Sequence, residues 1–463
     1  MKHTLLSILR WTTGIAALLF VFSVGLLAAA LHLLRPGPGE WALPLRWGPW
    51  QGELSGPAVL RLASHPVMLQ QLVGRTLATP LGPLTLSGGS APSRWRGVCA
   101  PCTWQVDALG SEPLRFDRVE FSWKRDVRMD LVGEFMLSRT AAPADQEVRG
   151  HWQLRNGVQQ VEATLSLHDT PLVSAFGLFA DRLPELRQAR IEGRLSLDLS
   201  WQWPSRAVQV KPRLHGFVVA GLGTEALLDA LPSCRAAPEA PAAAGFGAWL
   251  PRAVLAAEDQ RFFEHTGFDA VELGAAFSTE LRPGAVRRGA STLSQQLAKL
   301  IYTGDSKSHL RKLRELLYAV ELDRTLGKAR VLNLYLSLAP WGGGTCGAHA
   351  AASAYLGQAA HELDPFDAAW LASLLHNPDA ELVQMARSGE ANRPRVRWIV
   401  DHLRPLVRAK RQALLNAFDD WAPPPQAFDA ARAVQGVRLA DSAATRAIAP
   451  AWLGVLNAAS PRP

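Results

Sequence analysis

Cysteine is scarce in this chain: four residues in 463, Cys99, Cys102, Cys234 and Cys346. A disulfide-dense miniprotein is excluded, and so few cysteines are unusual for an exported chain. Long apolar runs are rarer still, because only Trp11–Leu34 is long enough to dissolve in lipid, which excludes a polytopic membrane protein. A disordered solvating chain is excluded by composition, 48% apolar against 19% charged. Internal repeats are missing. No second CxxC or His pair completes a metal site around Cys99-Ala100-Pro101-Cys102, and no thioredoxin-like βαβ pattern surrounds it. That motif reads as a structural disulfide or two idle thiols. Helix-turn-helix, zinc-finger and single-strand-binding signatures are also missing. The formal net charge of +8 is therefore not read as a nucleic-acid surface.

The apolar run is 24 residues without Asp, Glu, Lys or Arg. At about 1.5 Å per residue a helix of that length crosses the ~30 Å hydrocarbon core. Lys2 and Arg10 precede it and Arg35-Pro36-Gly37-Pro38-Gly39 stops it, so the positive-inside rule puts the chain beyond residue 36 on the far side of the membrane. A cleaved signal peptide, with Ala28-Ala29-Ala30 as cleavage site, fits less well because its apolar region is usually only about 7–15 residues.

From about residue 40 to 230 the dominant period is two: Val127, Met129 and Leu131 alternate with Arg128 and Asp130, and Leu195, Leu197, Leu199, Trp201 and Trp203 alternate with polar residues. These are half-buried antiparallel strands, with a helical piece around Val173–Leu183. The tryptophans near the membrane exit, Trp41, Trp47 and Trp50, read as packing rather than lipid contact. Pro238, Pro241 and Ala242-Ala243-Ala244 mark a linker, after which apolar residues recur at helical spacing from Leu250 to about Leu403. The expected fold class is α+β multidomain: cytoplasmic tip and transmembrane helix at 1–36, β-rich domain at 37–231, linker at 232–245, a mostly α domain at 246–404, and an extension at 405–463.

Most of the excess charge is concentrated. Between Leu281 and Arg330 eleven Lys/Arg face four Asp/Glu. Thr292 with Gln295 forms a capping box that starts a helix, whose first-turn N–H groups can hold phosphate, and Gln295, Gln296 and Lys299 lie within about one turn. Arg311 and Lys312 precede Glu315 by four and three residues, so the three share a helix face, either as part of an anion site or as a surface ion pair. Upstream, Asp269 reads as a cap for the next helix and His265 as a structural histidine. Glu258, beside the apolar run Val254-Leu255-Ala256-Ala257, has the setting of a general base.

The segment Ala256-Ala257-Glu258-Asp259-Gln260-Arg261-Phe262-Phe263-Glu264-His265-Thr266-Gly267, then Arg288-Gly289-Ala290-Ser291-Thr292-Leu293-Ser294-Gln295-Gln296-Leu297-Ala298-Lys299, then Arg311-Lys312-Leu313-Arg314-Glu315, then Lys328-Ala329-Arg330-Val331-Leu332-Asn333-Leu334-Tyr335-Leu336, resembles the peptidoglycan glycosyltransferases, lysozyme-like enzymes that polymerise lipid II. The resemblance covers about residues 246–400 and leaves the β-rich region unread. It implies that Glu258 is the base that deprotonates the acceptor 4-hydroxyl and that Glu315 assists near the departing pyrophosphate, directly or through a divalent metal (Mg or Mn). It also implies that Lys299, Lys307, Arg311 and Lys312, with Ser291, Thr292, Gln295 and Gln296, line the donor cleft. The reaction would invert the anomeric carbon and release undecaprenyl diphosphate, at the periplasmic face of a bacterial inner membrane, with lipid II and the growing glycan chain as partners. Cell-wall assembly proteins would meet the β-rich domain.

The sequence departs from the family pattern at Leu300, Lys307, Asn333, Ser337 and Gln358. Neither glutamate is lost, but a degenerate lipid II-binding scaffold stays open as an alternative, as does a lytic transglycosylase. No SxxK or KTG follows, and the roughly 60 residues after Leu403 are too few for a transpeptidase domain, so the expectation is a monofunctional enzyme.

Overall fold

The computed structural model describes residues 34–447 apart from 48–49, 89–93, 106–111, 127–129, 140–146, 230–233, 235–244, 278–290 and 305–308, with a few isolated residues between 21 and 32. The expected span at Trp11–Leu34 lies almost wholly outside the described residues, as do Val127, Met129 and the side chains of Trp47 and Trp50. Among the described residues no helix is long and apolar enough to cross a membrane. Two compact units are present: the first comprises 1–186, 191–217 and 274–288, the second 187–190, 218–273 and 289–463.

Thirteen strands carry the first stretch: β1 (Ala42–Trp47), β2 (Trp50–Ser55), β3 (Thr76–Thr79), β4 (Gly82–Gly88), β5 (Arg94–Cys99), β6 (Cys102–Trp104), β7 (Leu114–Phe116), β8 (Arg118–Arg125), β9 (Leu131–Ser138), β10 (Val148–Asn156), β11 (Val161–Pro171), β12 (Arg190–Trp203) and β13 (Val208–Ala220). Nine of them form one sheet in the order β13-β12-β11-β10-β9-β8-β5-β4-β3, while β1 pairs with β2 and β6 with β7. The period of two has a direct structural reason. Trp95, Trp123, Gly133, Trp152, Leu165 and Leu199 are successive cross-strand partners, so they share one face. Leu60 of α1 (Gly56–Ala63), with Leu69 and Leu72 of α2 (Pro66–Leu72), packs on that face against Trp95, Trp123 and Leu131. A second cluster gathers Cys99, Cys102, Leu114, Phe116, Val148 and Leu167, with Leu195 and Leu197 of β12 against it. The opposite face is polar and encloses a groove of about 380 Å³ lined by Arg94, Lys124, Glu134, His151 and Gln153 among others.

Cys99 and Cys102 are joined in a disulfide, which settles the first of the two readings of that motif. Trp41 is buried and its indole N–H donates to Gly157 O, so this tryptophan packs. Its ring lies where a Cβ on Gly56 would sit, 2.1 Å away, which reserves position 56 for glycine. The helical piece expected around Val173–Leu183 is shorter, α3 (Leu172–Gly177), followed by a 3₁₀ turn at Pro184–Arg187.

The second unit is mostly helical: α4 (Leu250–Glu258), α5 (Ala270–Phe277, whose last residues pass to the first unit), α6 (Leu293–Ala298), α7 (His309–Leu338), α8 (Ala348–Leu356), α9 (Pro365–Leu374), α10 (Pro378–Ser388), α11 (Arg393–His402), α12 (Arg408–Ala417) and α13 (Pro425–Ala447). α7 is broken at Gly327, whose φ of 73° no helix accommodates. Leu250, Leu293, Leu297, Leu317, Leu322, Leu334, Trp341 and Trp370 are fully buried and form its core. Glu321 of α7 is buried too, and accepts from Leu222 N and from the backbone and hydroxyl of Thr224, which fastens the 221–224 turn to the helix. A disulfide absent from the sequence-based expectation, Cys234–Cys346, closes a separation of 112 residues and ties the linker to the turn after α7.

Candidate functional site

Glu258 is the last residue of α4, a helix opened by Pro251 and held in the core by Leu250, Ala253, Val254 and Ala256. The helix stops at Asp259, whose φ of −157° is extended. Asp259 turns its carboxylate to His265 Nε2 at 3.1 and 3.2 Å and accepts from Leu293 N at 2.9 Å. The other ring nitrogen of His265 faces Lys328 Nζ at 3.3 Å, and Lys328 pairs at 2.5 Å with Asp323. Asp323 in turn accepts from Ser294 Oγ at 2.6 Å and from Gly267 N. With an ammonium on Nδ1, His265 donates from Nε2 to Asp259, a structural role. This network locks the 259–267 loop to the start of α6 and to α7. Gly267 is held at φ +78° where a Cβ would lie 2.6 Å from the backbone of Ala319 and Val320, so only glycine lets the loop approach.

The capping box forms as expected: Thr292 Oγ1 accepts from Gln295 N while Gln295 Oε1 accepts from Thr292 N. Its consequence differs from the expectation of a phosphate-holding helix end. The N–H groups of Leu293 and Gln295 are occupied by Asp259 and Thr292, and Thr292 and Gln295 are both buried. Asp269 caps α5, accepting from Val271 N and Glu272 N at 2.9 and 3.4 Å.

One turn into α6, Gln296 points at Glu258. Its amide nitrogen donates to Glu258 Oε2 at 3.1 Å, and its oxygen accepts from the Tyr335 hydroxyl at 2.8 Å. Tyr335 is almost wholly buried, and burial, reinforced by the Glu258 charge, pushes its pKa well above the ordinary phenol, so it stays a donor. This fixes which end of the amide faces the carboxylate. On the other side Arg395 reaches Glu258 Oε1 at 3.3 Å. Burial holds the Glu258 carboxyl above the ordinary carboxylate range, against the lowering by the Gln296 bond and the Arg395 charge, and Asp259 adds to the rise. The side chain keeps 13% of its surface exposed, enough for a hydroxyl to reach it. Lys299 follows Gln296 by three residues, on the same side of the segment, and is half-buried.

The second carboxylate is fully buried. Glu315 is bonded to Arg311 Nη1 and lies 2.7 Å from Lys312 Nζ, and Lys312 also donates to Ser291 Oγ at 2.6 Å. The i,i+4 and i,i+3 pairing is as the spacing predicts, yet it is no surface pair: the chain encloses Glu315 so that it aligns two cations whose own side chains stay 15% and 38% exposed. Because Ser291 leads directly into α6, one short segment touches the cations at one end and Glu258, through Gln296, at the other. Lys307 lies outside the described residues. Among the described residues there is no group of three His, Cys, Asp or Glu suited to a metal ion. With Glu315 committed to two cations, the donor set does not fit a resident divalent metal.

Two residues that hold Glu258, Arg395 directly and Tyr335 through Gln296, had no role assigned from the sequence. Tyr335 is 39 residues from Gln296 and Arg395 is 137 from Glu258. The alternation Arg393, Arg395, Arg397 resembles a solvated basic face, and no local signal singles out its middle member. Of the departures from the family pattern, Ser337 Oγ donates to Asn333 O within α7, Gln358 donates to Asp367, and Leu300 is exposed.

Residues 236–404 match the family model described as Transglycosylase. The chain is 43% identical over 129 residues to the biosynthetic peptidoglycan transglycosylase of Nitrosomonas eutropha, a stretch covering 28% of this chain and 53% of that relative. Proteins of the same name from Chromobacterium violaceum and Aromatoleum aromaticum are also 43% identical over 129 residues, covering 28% of this chain and 57% and 56% of theirs. The chain thus spans about half the length of the curated relatives it matches. The two glutamates, the capping box and the cation pair all stand inside residues 236–404, the segment of this chain that is similar to the transglycosylase family.

Proposed function

We propose that this chain is a membrane-anchored peptidoglycan glycosyltransferase that polymerises lipid II. The observation that carries the reading is Glu258: a carboxylate at a helix end, held at both oxygens, desolvated and still reachable. In the proposed reaction Glu258 takes the proton of the acceptor 4-hydroxyl as that oxygen bonds to the donor's anomeric carbon. The bond from that carbon to the lipid diphosphate breaks with inversion, and its electron pair leaves on undecaprenyl diphosphate. Arg311 and Lys312, aligned by Glu315, stabilise the growing negative charge, with Lys299 and Lys307 completing the cation set. Ser291 orients Lys312, Gln296 orients Glu258, and Thr292 and Gln295 build the helix start that carries both. Cleavage of finished glycan leaves no diphosphate, so the cation cluster favours synthesis over a lytic reaction.

Location follows from the same reading. The Trp11–Leu34 segment anchors the chain in a bacterial inner membrane with the catalytic unit on the periplasmic side. The pairing of all four cysteines in two disulfides supports an oxidising compartment. The polar groove on the β-sheet supports a partner-binding role for the first unit, with cell-wall assembly proteins as partners. The test is purified full-length protein with labelled lipid II. Wild type is expected to make glycan strands; absence of polymer across detergents and added Mg or Mn would leave the scaffold reading, and release of muropeptides from sacculi the lytic one.

A further inference from the structure

Arg393, Arg395 and Arg397 stand two apart on α11, so each points about 200° from the next. Arg393 and Arg397 turn to the segment after α12: Arg393 donates to Phe418 O and Trp421 O, and Arg397 pairs with Asp419. Arg395 faces the other way. Its Nε donates to Ser373 O at 3.1 Å, a carbonyl in the last turn of α9, where helix carbonyls lack partners and the dipole is negative. From that support its Nη2 meets Glu258 Oε1 at 3.3 Å, with 24% of the side chain exposed. Among the described residues few groups face Glu258. Asp259 adjoins it and is bonded to His265; Gln296 and Tyr335 contribute neutral dipoles. Arg395 is the cation bonded to the carboxylate.

We propose that Arg395 is a positioning residue of the transferase reaction: anchored on Ser373 O, it fixes Oε1 of Glu258 and offsets the burial of its carboxylate, so that the base is anionic when the acceptor arrives. The proposal rests on Glu258 being the base. A charge-assisted contact at this distance stabilises the ionised form of a carboxyl whose desolvation favours the neutral one. Gln296 cannot replace that contribution, because it carries no charge.

The experiment compares full-length wild type, Arg395→Gln and Arg395→Lys. In the lipid II assay the acid limb of kcat for Arg395→Gln is expected to move up by about one pH unit. Its activity then falls about tenfold against wild type on the acid side, converges on the alkaline side, and shows little change in KM. Arg395→Lys returns the limb towards wild type. A second arm needs no turnover: the pH dependence of the Tm difference between chains with and without Glu258→Gln locates the Glu258 titration directly. It is measured once with Arg395 intact and once on the Arg395→Gln background, where its midpoint is expected to rise. If wild type makes no polymer while that midpoint shifts, the base reading fails and the hold of Arg395 on Glu258 stands. If wild type polymerises and neither limb nor midpoint moves, or if Arg395→Gln loses activity equally at every pH, the proposal is overturned.

Discussion

Glu258 shows how burial sets both reactivity and stability at one residue. Its carboxyl titrates above the ordinary range because desolvation outweighs the Gln296 and Arg395 contributions. Glu258→Gln is expected to cut glycan synthesis by about 10²- to 10⁴-fold, the usual range for losing a general base. The stability effect has the opposite direction. Between the ordinary carboxylate pKa and the raised one, the folded chain keeps a proton that the unfolded chain has released, so stability falls as pH rises through that interval. Glu258→Gln removes this dependence. Tm measured from about pH 4 to about pH 7 is expected to decline more steeply for wild type than for the variant. A parallel pair of curves would contradict the raised pKa. Glu315 differs because its partners are more exposed than it is. Arg311→Met leaves the buried carboxylate undercompensated and is expected to cost about 3 kcal/mol, measured by denaturant unfolding, whereas Glu315→Gln, which leaves accessible cations, costs less.

α6 has only six residues and owes its place to what holds its start. The capping box, the Asp259 carboxylate on Leu293 N and the Thr292 hydroxyl on Gly267 O all act on one turn. Thr292→Ala is therefore expected to lose about 1–2 kcal/mol, at the upper end for an N-cap, and to lower kcat, since Gln296 rides on the same turn. Unfolding and initial-rate measurements on the same preparation test both parts; a loss of stability with kcat intact would separate the cap from Glu258. The capping box was readable from Thr292 and Gln295 alone. The competition for its N–H groups was not, because Asp259 reaches α6 from a segment more than thirty residues away.

On the scale of the chain, two disulfides close very different loops. Cys234–Cys346 spans 112 residues and Cys99–Cys102 only 3. If loop closure in the unfolded state dominates, replacing Cys234 and Cys346 by Ala costs about 4–5 kcal/mol and replacing Cys99 and Cys102 about 2. Calorimetry of the two double variants gives the order, and a larger loss from the short loop would rule out that account. The nine-stranded sheet was legible as strands because half-burial imposes a period of two, visible in Leu195 to Trp203. Its strand order, and the pairing of Cys234, arise from contacts between distant segments that no local pattern records.

Residue type and spacing alone determined the strand and helix regions, the capping box, the Arg311–Lys312–Glu315 face and Glu258 as the candidate base, since each depends on neighbours within a few positions. The tertiary structure decided that Glu315 is buried, that Asp259 occupies the start of α6, that Gln296 is turned by Tyr335, and that Arg395 reaches Glu258 across 137 residues. Burial and charge pairing are set by which surfaces meet, and that is a property of the folded chain.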